Sequence, residues 1–239
     1  MDGSKLKVFV DFDGTITSED VGDAIFREFG DLKDVEKIIE ELHNGKISSR
    51  QCWDILCNSV KKINENELLL FIDKMNIDPT FKSFVNLCDE NKITLFILSD
   101  GFDYYIKRIL NREGLSHLKY FANKLRINED KLIPEYPYFN PDYPVSANPK
   151  QYHIINNSSD DDYTVFIGDG NSDKDAAQYC DYIFAKNYLL KFCERERISY
   201  WPFKDFNDVS ERIKELLSKK RLKKRHQAQI KRKHAYEAE

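Results

Sequence analysis

Two aspartates, Asp11 and Asp13, stand one residue apart at the end of an apolar run, in the stretch VFVDFDGT (8–15). The preceding Val-Phe-Val is β-branched or aromatic without interruption, which predicts a buried strand. Two carboxylates at the end of a buried strand would repel each other if both were ionised. A divalent cation would relieve that repulsion, and Mg²⁺ suits such a site because it takes one or two carboxylates together with phosphate oxygens.

A second acidic pair follows another apolar run, YTVFIG (163–168). Asp169 comes directly after that run and is the natural second carboxylate ligand. Asp173 lies four residues further on, near the start of a predicted helix, where it can hold the metal ligands in place. A calcium-binding EF-hand loop does not explain the first pair, because a strand precedes Asp11 and the twelfth position of the loop is Gly22 instead of glutamate. The two pairs together predict a magnesium site that also attracts phosphate.

These acids need elements that bring them together, and the chain supplies apolar runs typical of buried strands alternating with helical patterns. The runs are 7–10, 93–98, 163–168 and 182–185, and the helical patterns between them are 80–91, 102–113 and 173–180. The alternation predicts an α/β fold with a parallel sheet covered on both faces. Three runs end in DFDGT, SDG and GDG. Because ligands bind at the carboxyl ends of parallel strands, we expect these three clusters to converge.

Three other segments complete the predicted organisation. Residues 18–79 contain amphipathic helices and no strand, with Ser48 or Ser49 capping the third helix. Residues 114–149 are predicted to be irregular, because four prolines in IPEYPYFNPDYP preclude a continuous helix; the aromatic residues there either line a pocket or pack a loop. The stretch ISYWPF (198–203) is either a short strand or a packed loop. The predicted domains are a core (1–17 and 80–218), a helical cap (18–79) and a basic C-terminal tail (219–239).

Charge is divided unevenly along the chain. The formal net charge is −4, but residues 219–239 hold nine of the 37 Lys and Arg and two of the 41 Asp and Glu, which leaves the body at −11. An acidic body argues against nucleic-acid binding by charge. The basic block 219–234 is typical of a solvated terminal segment. A nuclear or nucleic-acid contact, an anionic membrane surface and docking onto the acidic body are the alternatives.

Cysteine usage and hydropathy bear on location. The five cysteines show no CxxC spacing, which predicts buried free thiols in a reducing compartment instead of disulfides or a zinc site. No run of about 20 apolar residues is present, so we expect no membrane span. Because the first predicted strand begins close to the N-terminus, we expect no signal peptide. A soluble cytoplasmic protein is expected, with access to the nucleus through the basic tail as the lesser alternative. The sequence indicates no oligomeric state.

In order and spacing, these motifs resemble those of the haloacid dehalogenase superfamily of phosphotransferases. The first motif of that family is an apolar run followed by DxDGT, here DFDGT. The second is an apolar strand ending in Ser or Thr, here LFILSDG; the third is a lone Lys; the fourth is GDxxxD, here GDGNSD (168–173). The resemblance covers about 165 residues. It implies a Rossmann-like three-layer α/β core with a small helical cap domain, Mg²⁺ as cofactor and a small phosphorylated metabolite as substrate.

The resemblance implies a role for each matching acid. Asp11 would attack phosphorus and form an aspartyl-phosphate. Asp13 would protonate the leaving oxygen and then deprotonate the hydrolytic water. Mg²⁺ would be bound by Asp11, the backbone carbonyl of Asp13 and Asp169, with Asp173 and Asn171 in support.

The resemblance also implies a phosphate-binding set. Ser99 and the backbone N–H of Gly101 would hold phosphate oxygens. A lysine would neutralise charge on the attacked group. Lys150, nineteen residues before the second acidic pair and at the start of a predicted helix, fits the family spacing, with Lys124 and Lys131 as alternatives.

A helical cap between the first two motifs is similar to the phosphoserine phosphatase-like subgroup. There, a cap Glu binds the substrate amine and a cap Arg binds its carboxylate. Here the Glu position falls at Asp20, while the Arg position falls near 53–55 in a helix whose only arginine is Arg50. Phosphoserine itself is therefore not the expected substrate. The segment 184–209 is similar instead to 2-hydroxy-3-keto-5-methylthiopentenyl-1-phosphate phosphatases and fungal polyol phosphate phosphatases.

Asp100 departs from many relatives, which carry a small residue after the motif Ser. Phosphoethanolamine and phosphocholine phosphatases do carry Ser-Asp at this position. Asp100 therefore either helps to hold a cationic substrate, together with aromatic residues of 136–143, or faces solvent or caps the next helix.

The sequence therefore predicts a Mg²⁺-dependent phosphatase that hydrolyses a methylthiopentenyl phosphate, a polyol phosphate or a phosphoserine-like ester. Two alternatives stay open. One is a non-catalytic phosphate-binding or regulatory protein that acts through its basic tail. The other is a phosphomutase on the same scaffold.

Overall fold

The computed structural model describes residues 2–237, whose strands form a single mostly parallel sheet. The strands are β1 (Leu6–Asp11), β2 (Thr94–Phe102), β3 (Lys119–Asn128), β4 (Lys131–Glu135), β5 (Tyr163–Gly168), β6 (Tyr182–Ala185) and β7 (Trp201–Pro202). Their order in the sheet is β4-β3-β2-β1-β5-β6-β7, and the β3–β4 pair is antiparallel. All four predicted strands are present, and the segment 198–203 contributes the short strand β7.

Helices cover both faces of the sheet. They are α1 (Val21–Phe29), α2 (Leu32–His43), α3 (Ser49–Ser59), α4 (Glu65–Ile72), α5 (Phe81–Glu90), α6 (Asp103–Arg112), α7 (Lys150–Asn156), α8 (Lys174–Tyr179), α9 (Asn187–Arg195), α10 (Phe206–Ser218) and α11 (His226–Glu237). Helices α5, α6 and α8 match the predicted patterns to within two residues at each end. The α/β fold class is therefore confirmed.

Alternate residues of β1 enter two apolar layers, one on each face of the sheet. Val8 packs in the layer that contains Phe84 of α5 and Phe206 of α10. Phe9 packs in the opposite layer with Ile154 of α7 and residues of α8 and α9. A strand buried on both faces has no polar side, which is why Val8, Phe9 and Val10 form an uninterrupted apolar run in β1.

The register of β1 with β2 and β5 places the carboxyl ends of these strands at the same edge of the sheet. Val8 pairs with Leu95 of β2 and with Val165 of β5, and Asp11 pairs with Leu98. Strand β1 is central, so the polar residues that follow β1, β2 and β5 meet at one edge. Beyond Leu98, β2 continues to Phe102 with a shift of register against β3. The predicted convergence of the three strand ends is confirmed.

Helices α1 to α4 form an insertion between β1 and α5. The two segments that join it to the core run side by side: Thr17 bridges Ile77, and the backbone N–H of Asp78 donates to the carbonyl of Ile16. Ser48 caps α3 in a capping box, as one of the two predicted serines. The buried side chains of the insertion belong to the same apolar layer as Val8, so the insertion packs directly on the core.

The prediction that 114–149 is irregular is wrong for its first half, which forms the β3–β4 hairpin. Asn128 pairs with Lys131, and the turn between them contains Glu129 in the left-handed region (φ 58°). Strand β4 lies at the sheet edge, where Pro134 is tolerated because an edge strand leaves N–H positions unpaired. The second half is a loop in which Tyr138 packs on Phe121 and His153.

The interpretation of the basic block as a solvated segment is wrong for Arg225 and Arg232, which dock onto the acidic body, whereas Lys231 and Lys233 of α11 are exposed. Arg232 is 1% exposed, and its guanidinium nitrogen Nη2 lies 3.1 Å from both carboxylate oxygens of Asp181. The other nitrogen, Nη1, donates to Thr164 Oγ1 at 2.9 Å and to the carbonyl of Tyr179. Arg225 donates to the carbonyls of Ala177 and Cys180.

Two predictions about composition can be compared with the fold. All five cysteines are buried free thiols, as expected. Within residues 2–237, none of the helices combines the length and the apolar character that crossing a bilayer requires.

Candidate active site

An acidic cluster occupies the edge where β1 and β5 end. Carboxylate oxygens of Asp11, Asp169 and Asp173 all lie within 4.8 Å of one another. Asp169 is fixed by the Thr15 hydroxyl, which donates to Oδ1 at 3.0 Å, and by the Asn187 amide, which donates to Oδ2 at 3.1 Å. The sequence predicted the three acids as a group; it gave no sign of Asn187, which α9 brings in from eighteen residues further along the chain.

Asp173 is held by backbone as well as side chains. Its Oδ2 accepts from the N–H groups of Asp169 and Gly170, each at 2.9 Å. A Cβ at Gly168 would overlap this carboxylate, so glycine is needed where β5 ends. Gly14, with φ at 75°, likewise leaves space for the Asp169 carboxylate. Asp173 therefore orients the turn that presents Asp169.

Lys150 lies in the middle of the cluster, as predicted. Its ammonium nitrogen is 2.5 Å from Asp11 Oδ1 and 2.6 Å from Asp173 Oδ1, and all three side chains are buried. The first residue of α7 is Lys150, so the helix start sets the position of the charge. The two alternatives, Lys124 and Lys131, are exposed on the β3–β4 hairpin.

Electrostatics in the cluster favour a cation. Burial and the neighbouring charge of Asp173 raise the pKa of Asp11 well above its usual range, against a smaller opposing effect of Lys150. Burial and Asp173 also raise the pKa of Asp169. Burial alone would lower the pKa of Lys150, but the two adjacent carboxylates outweigh it and raise that pKa. Because one lysine does not neutralise the two buried carboxylates and the half-buried Asp169, and because all the donors are hard oxygens, the residues fit Mg²⁺.

The Asp13 carboxylate lies beside the cluster and is held by three donors. Ser99 Oγ and the hydroxyl of Tyr105 each donate to Oδ2 at 2.9 Å, and the backbone N–H of Val21 donates to Oδ1 at 3.2 Å. The N–H of Gly101 donates to Ser99 Oγ at 2.9 Å. Burial raises the pKa of Asp13, and the hydrogen bonds from Tyr105 and Ser99 oppose that rise. Sequence reasoning missed Tyr105.

Asp100 neither faces open solvent nor caps α6. Its Oδ1 accepts from the backbone N–H of Asn148 at 2.8 Å, and its carbonyl accepts from Trp53 Nε1 and Asn123 Nδ2. Burial raises the pKa of Asp100 to about 6. Asn148 also donates to the carbonyl of Ser99, so this asparagine ties the end of β2 to the start of α7.

Asp20 caps α1, where its Oδ1 accepts from the backbone N–H of Asp23 at 2.8 Å. Asp20 is exposed and lines a cleft between the acidic cluster and the helical insertion. These surroundings, and then the charge of Asp13, raise the pKa of Asp20 to about 7. Asn171 lines the same cleft.

A cleft of about 830 Å³ separates the acidic cluster from the helical insertion. Its walls include Trp53, the segment 42–45, Ile47 and the loop 142–146. Eight acidic residues line it: Asp11, Asp13, Glu19, Asp20, Asp100, Asp142, Asp169 and Asp175. Among residues 2–237, Lys174 is the one Lys or Arg that lines the cleft. Arg50 instead stacks outside it on Tyr136 and Phe139.

Comparisons with known proteins agree with this geometry. A sequence model of the haloacid dehalogenase-like hydrolases matches residues 8–178. The chain is 30% identical to Pdp3-interacting factor 1 of Schizosaccharomyces pombe, over 89% of this chain and 96% of that protein. It is 28% identical to a 2-hydroxy-3-keto-5-methylthiopentenyl-1-phosphate phosphatase of Bacillus thuringiensis, over 90% of this chain and 99% of that protein.

Solved structures show the same fold. A substrate-bound phosphoserine phosphatase superposes with a TM-score of 0.68 at 22% identity, covering 87% of this chain and 97% of that one. A phospho-aspartyl intermediate analogue of phosphoserine phosphatase superposes with a TM-score of 0.66 at 23% identity, covering 88% and 98%. The resemblance drawn from the four motifs, and the prediction of a hydrolytic enzyme with phosphatases among its relatives, are confirmed. With the acidic cluster at the carboxyl edge of its sheet, the chain belongs to the haloacid dehalogenase-like hydrolases.

Proposed function

We propose that this protein is a Mg²⁺-dependent phosphatase that hydrolyses a small phosphorylated metabolite through an aspartyl-phosphate on Asp11. The observation that carries the proposal is the juxtaposition of two carboxylates that line a cleft, those of Asp11 and Asp169, with the buried ammonium of Lys150, 2.5 Å from Asp11 Oδ1. A nucleophilic carboxylate, a cation site and a fixed ammonium are the parts that phosphoryl transfer needs.

Two acids divide the chemistry. Asp11 attacks phosphorus, and the bond from phosphorus to the ester oxygen breaks. Asp13 gives its proton to that leaving oxygen. Asp13 then takes a proton from the water that attacks the aspartyl-phosphate, which releases phosphate and restores Asp11. The raised pKa of Asp13 supports its role as a proton donor, because a buried carboxyl group keeps its proton to higher pH.

Asp11, Asp169 and the backbone carbonyl of Asp13 would hold Mg²⁺, and Asp173 and Asn171 would support them. When bound, the ion offsets carboxylate charge and stabilises negative charge on the transferred phosphoryl group. Ser99, the N–H of Gly101 and Lys150 would hold phosphate oxygens. Two carboxylates and the Ser172 hydroxyl hold the Lys150 ammonium in place before the substrate arrives, and exchanging the bond to Ser172 would free one N–H for a phosphate oxygen.

The charge of the cleft supports a substrate whose phosphate is its main anionic group. A second carboxylate on the substrate would face eight acids and one lysine. Phosphoserine is therefore less favoured than an uncharged polyol phosphate or methylthiopentenyl phosphate, and the name of the Bacillus relative agrees. Asp20 and Asp100 line the cleft and would contact the organic part of the substrate.

The insertion 18–79 would act as a cap that shields the aspartyl-phosphate from solvent, on a core of 1–17 and 80–218. Five buried free cysteines support a reducing compartment such as the cytoplasm.

The test is hydrolysis of p-nitrophenyl phosphate with Mg²⁺ and with EDTA, for the wild type, Asp11→Asn and the control Asp161→Asn on the exposed surface. Activity that needs metal and is lost only in Asp11→Asn supports the proposal. A panel of methylthiopentenyl, polyol, serine and ethanolamine phosphates then ranks substrates. Absence of turnover of every ester would contradict it and favour a phosphate-binding protein acting through its basic segment. Phosphate returned to a substrate hydroxyl in place of water would indicate a phosphomutase.

A further inference from the structure

The Tyr105 hydroxyl is directed at the proposed proton donor from a fixed place in the fold. Its ring is 1% exposed and packs against Phe12, with 6.1 Å between ring centroids. Tyr105 lies in the first turn of α6, directly after the end of β2. A Cβ at Gly101 would overlap the tyrosine hydroxyl, so the backbone there leaves the space that the hydroxyl fills.

Ser99 and Tyr105 both donate to Asp13 Oδ2, but Ser99 has a second task. A serine hydroxyl carries one proton and donates one hydrogen bond. When Ser99 donates to a phosphate oxygen, as the proposed function requires, it no longer donates to Asp13. The hydroxyl of Tyr105, 2.9 Å from Oδ2, is then the side-chain donor left at that oxygen among the contacts of the described residues.

We propose that Tyr105 is a positioning residue, which holds the carboxyl group of Asp13 in place for proton transfer to the leaving oxygen while Ser99 binds phosphate. Tyr105 on Oδ2 and the backbone N–H of Val21 on Oδ1 together set the plane of the carboxyl group. This inference rests on the proposed function.

The proposal makes a prediction about leaving groups. Proton donation matters most when the departing oxygen is strongly basic, and p-nitrophenolate is a much weaker base than phenolate. Tyr105→Phe should therefore lower kcat/KM for phenyl phosphate by about tenfold or more, a part of the ~10²–10⁴-fold that general acid catalysis supplies. For p-nitrophenyl phosphate the same variant should lose less than about threefold.

The control is Tyr104→Phe, which removes the neighbouring hydroxyl that donates to Glu65 at 2.8 Å. The measured quantity is the ratio of kcat/KM for the two esters in one preparation, because that ratio does not depend on the fraction of folded enzyme. A ratio that changes about fivefold in Tyr105→Phe and stays constant in Tyr104→Phe supports the proposal. Equal losses for both esters, no loss, or the same change in both variants would overturn it. A wild type that hydrolyses neither aryl ester and none of the metabolite esters would overturn the proposed function as well, which separates the two failures.

Discussion

Lys150→Met tests whether the buried ammonium holds the site together. Methionine keeps an unbranched side chain of similar length and removes the charge. Lys150 joins Asp11 and Asp173 at 2.5 and 2.6 Å, and none of the three side chains is more than 6% exposed. Removing one partner of a buried pair leaves the other charge uncompensated, which costs about 3–5 kcal/mol of unfolding free energy.

For a protein of this size, 1 kcal/mol corresponds to about 2–4 °C in Tm, so we expect a decrease of roughly 6–20 °C. The assay is thermal unfolding in EDTA near neutral pH, followed by fluorescence. The decrease in Tm relative to wild type should become smaller on acidification, because a protonated Asp11 no longer needs a neighbouring cation. Added Mg²⁺ should restore part of it, since a ligand that binds the folded state stabilises that state. Phosphatase activity of Lys150→Met should be lost both with and without added Mg²⁺.

Lys124→Met is the matched control, because Lys124 is exposed on β3. Its unfolding free energy should stay within about 0.5 kcal/mol of wild type. If Lys150→Met lost no more stability than Lys124→Met, or if its deficit were the same in acid and at neutral pH, the electrostatic account of the cluster would be refuted.

Two further predictions concern buried charge elsewhere. Burial raises the pKa of Asp100 to about 6, above its value in the unfolded chain, so its stabilising contribution is present at low pH and is lost as pH rises through about 6. Asp100→Asn should therefore have a larger unfolding free energy than wild type near pH 8, by up to ~3 kcal/mol, and no such gain near pH 4. Urea unfolding at the two pH values measures the difference. An equal change in unfolding free energy at both pH values would contradict this prediction. Arg232→Met should cost about 3–5 kcal/mol, because it strands the buried carboxylate of Asp181. The control Lys233→Met should change Tm little, and a similar Tm for the two variants would contradict the role of Arg232.

The sequence predicted the central sheet because its strands are buried on both faces. Burial on both sides demands an uninterrupted apolar run, and such a run is visible without any structure. The same reasoning placed Asp11, Asp169 and the end of β2 together, since parallel strands present their carboxyl ends at one edge. These parts of the site follow from local pattern and the geometry of parallel sheets.

The β3–β4 hairpin could not be predicted in this way. Its residues, KYFANKLRINEDKLIPE (119–135), carry Lys, Arg and Asn at short intervals because β4 lies at the sheet edge and faces solvent. An edge strand needs few apolar residues, so its alternation is weak. The four prolines correctly predicted the loop that follows the hairpin. The prediction of irregular structure was wrong only because it was extended to the residues before that loop.

Tyr105 and Arg232 were missed for a different reason. A tyrosine in an amphipathic helix is most often a core residue, and nothing local shows that its hydroxyl meets a carboxylate 92 positions away. A basic block is most often solvated, and the burial of one arginine in it depends on Asp181, which is 51 positions away. Long-range pairs of this kind leave no trace in a single sequence.

The pairing of Arg232 with Asp181 also has a consequence for synthesis of the chain. Asp181 accepts hydrogen bonds from the backbone N–H and the hydroxyl of Thr164, so it lies where β5 and the start of β6 meet. A nascent chain that has reached residue 218 holds every strand of the sheet but lacks the guanidinium that this carboxylate needs. Until residue 232 is available, the carboxylate of Asp181 must stay hydrated or become protonated, and this delays the docking of β6. Chains truncated after residue 218 should therefore be cut by proteases more readily than the full chain.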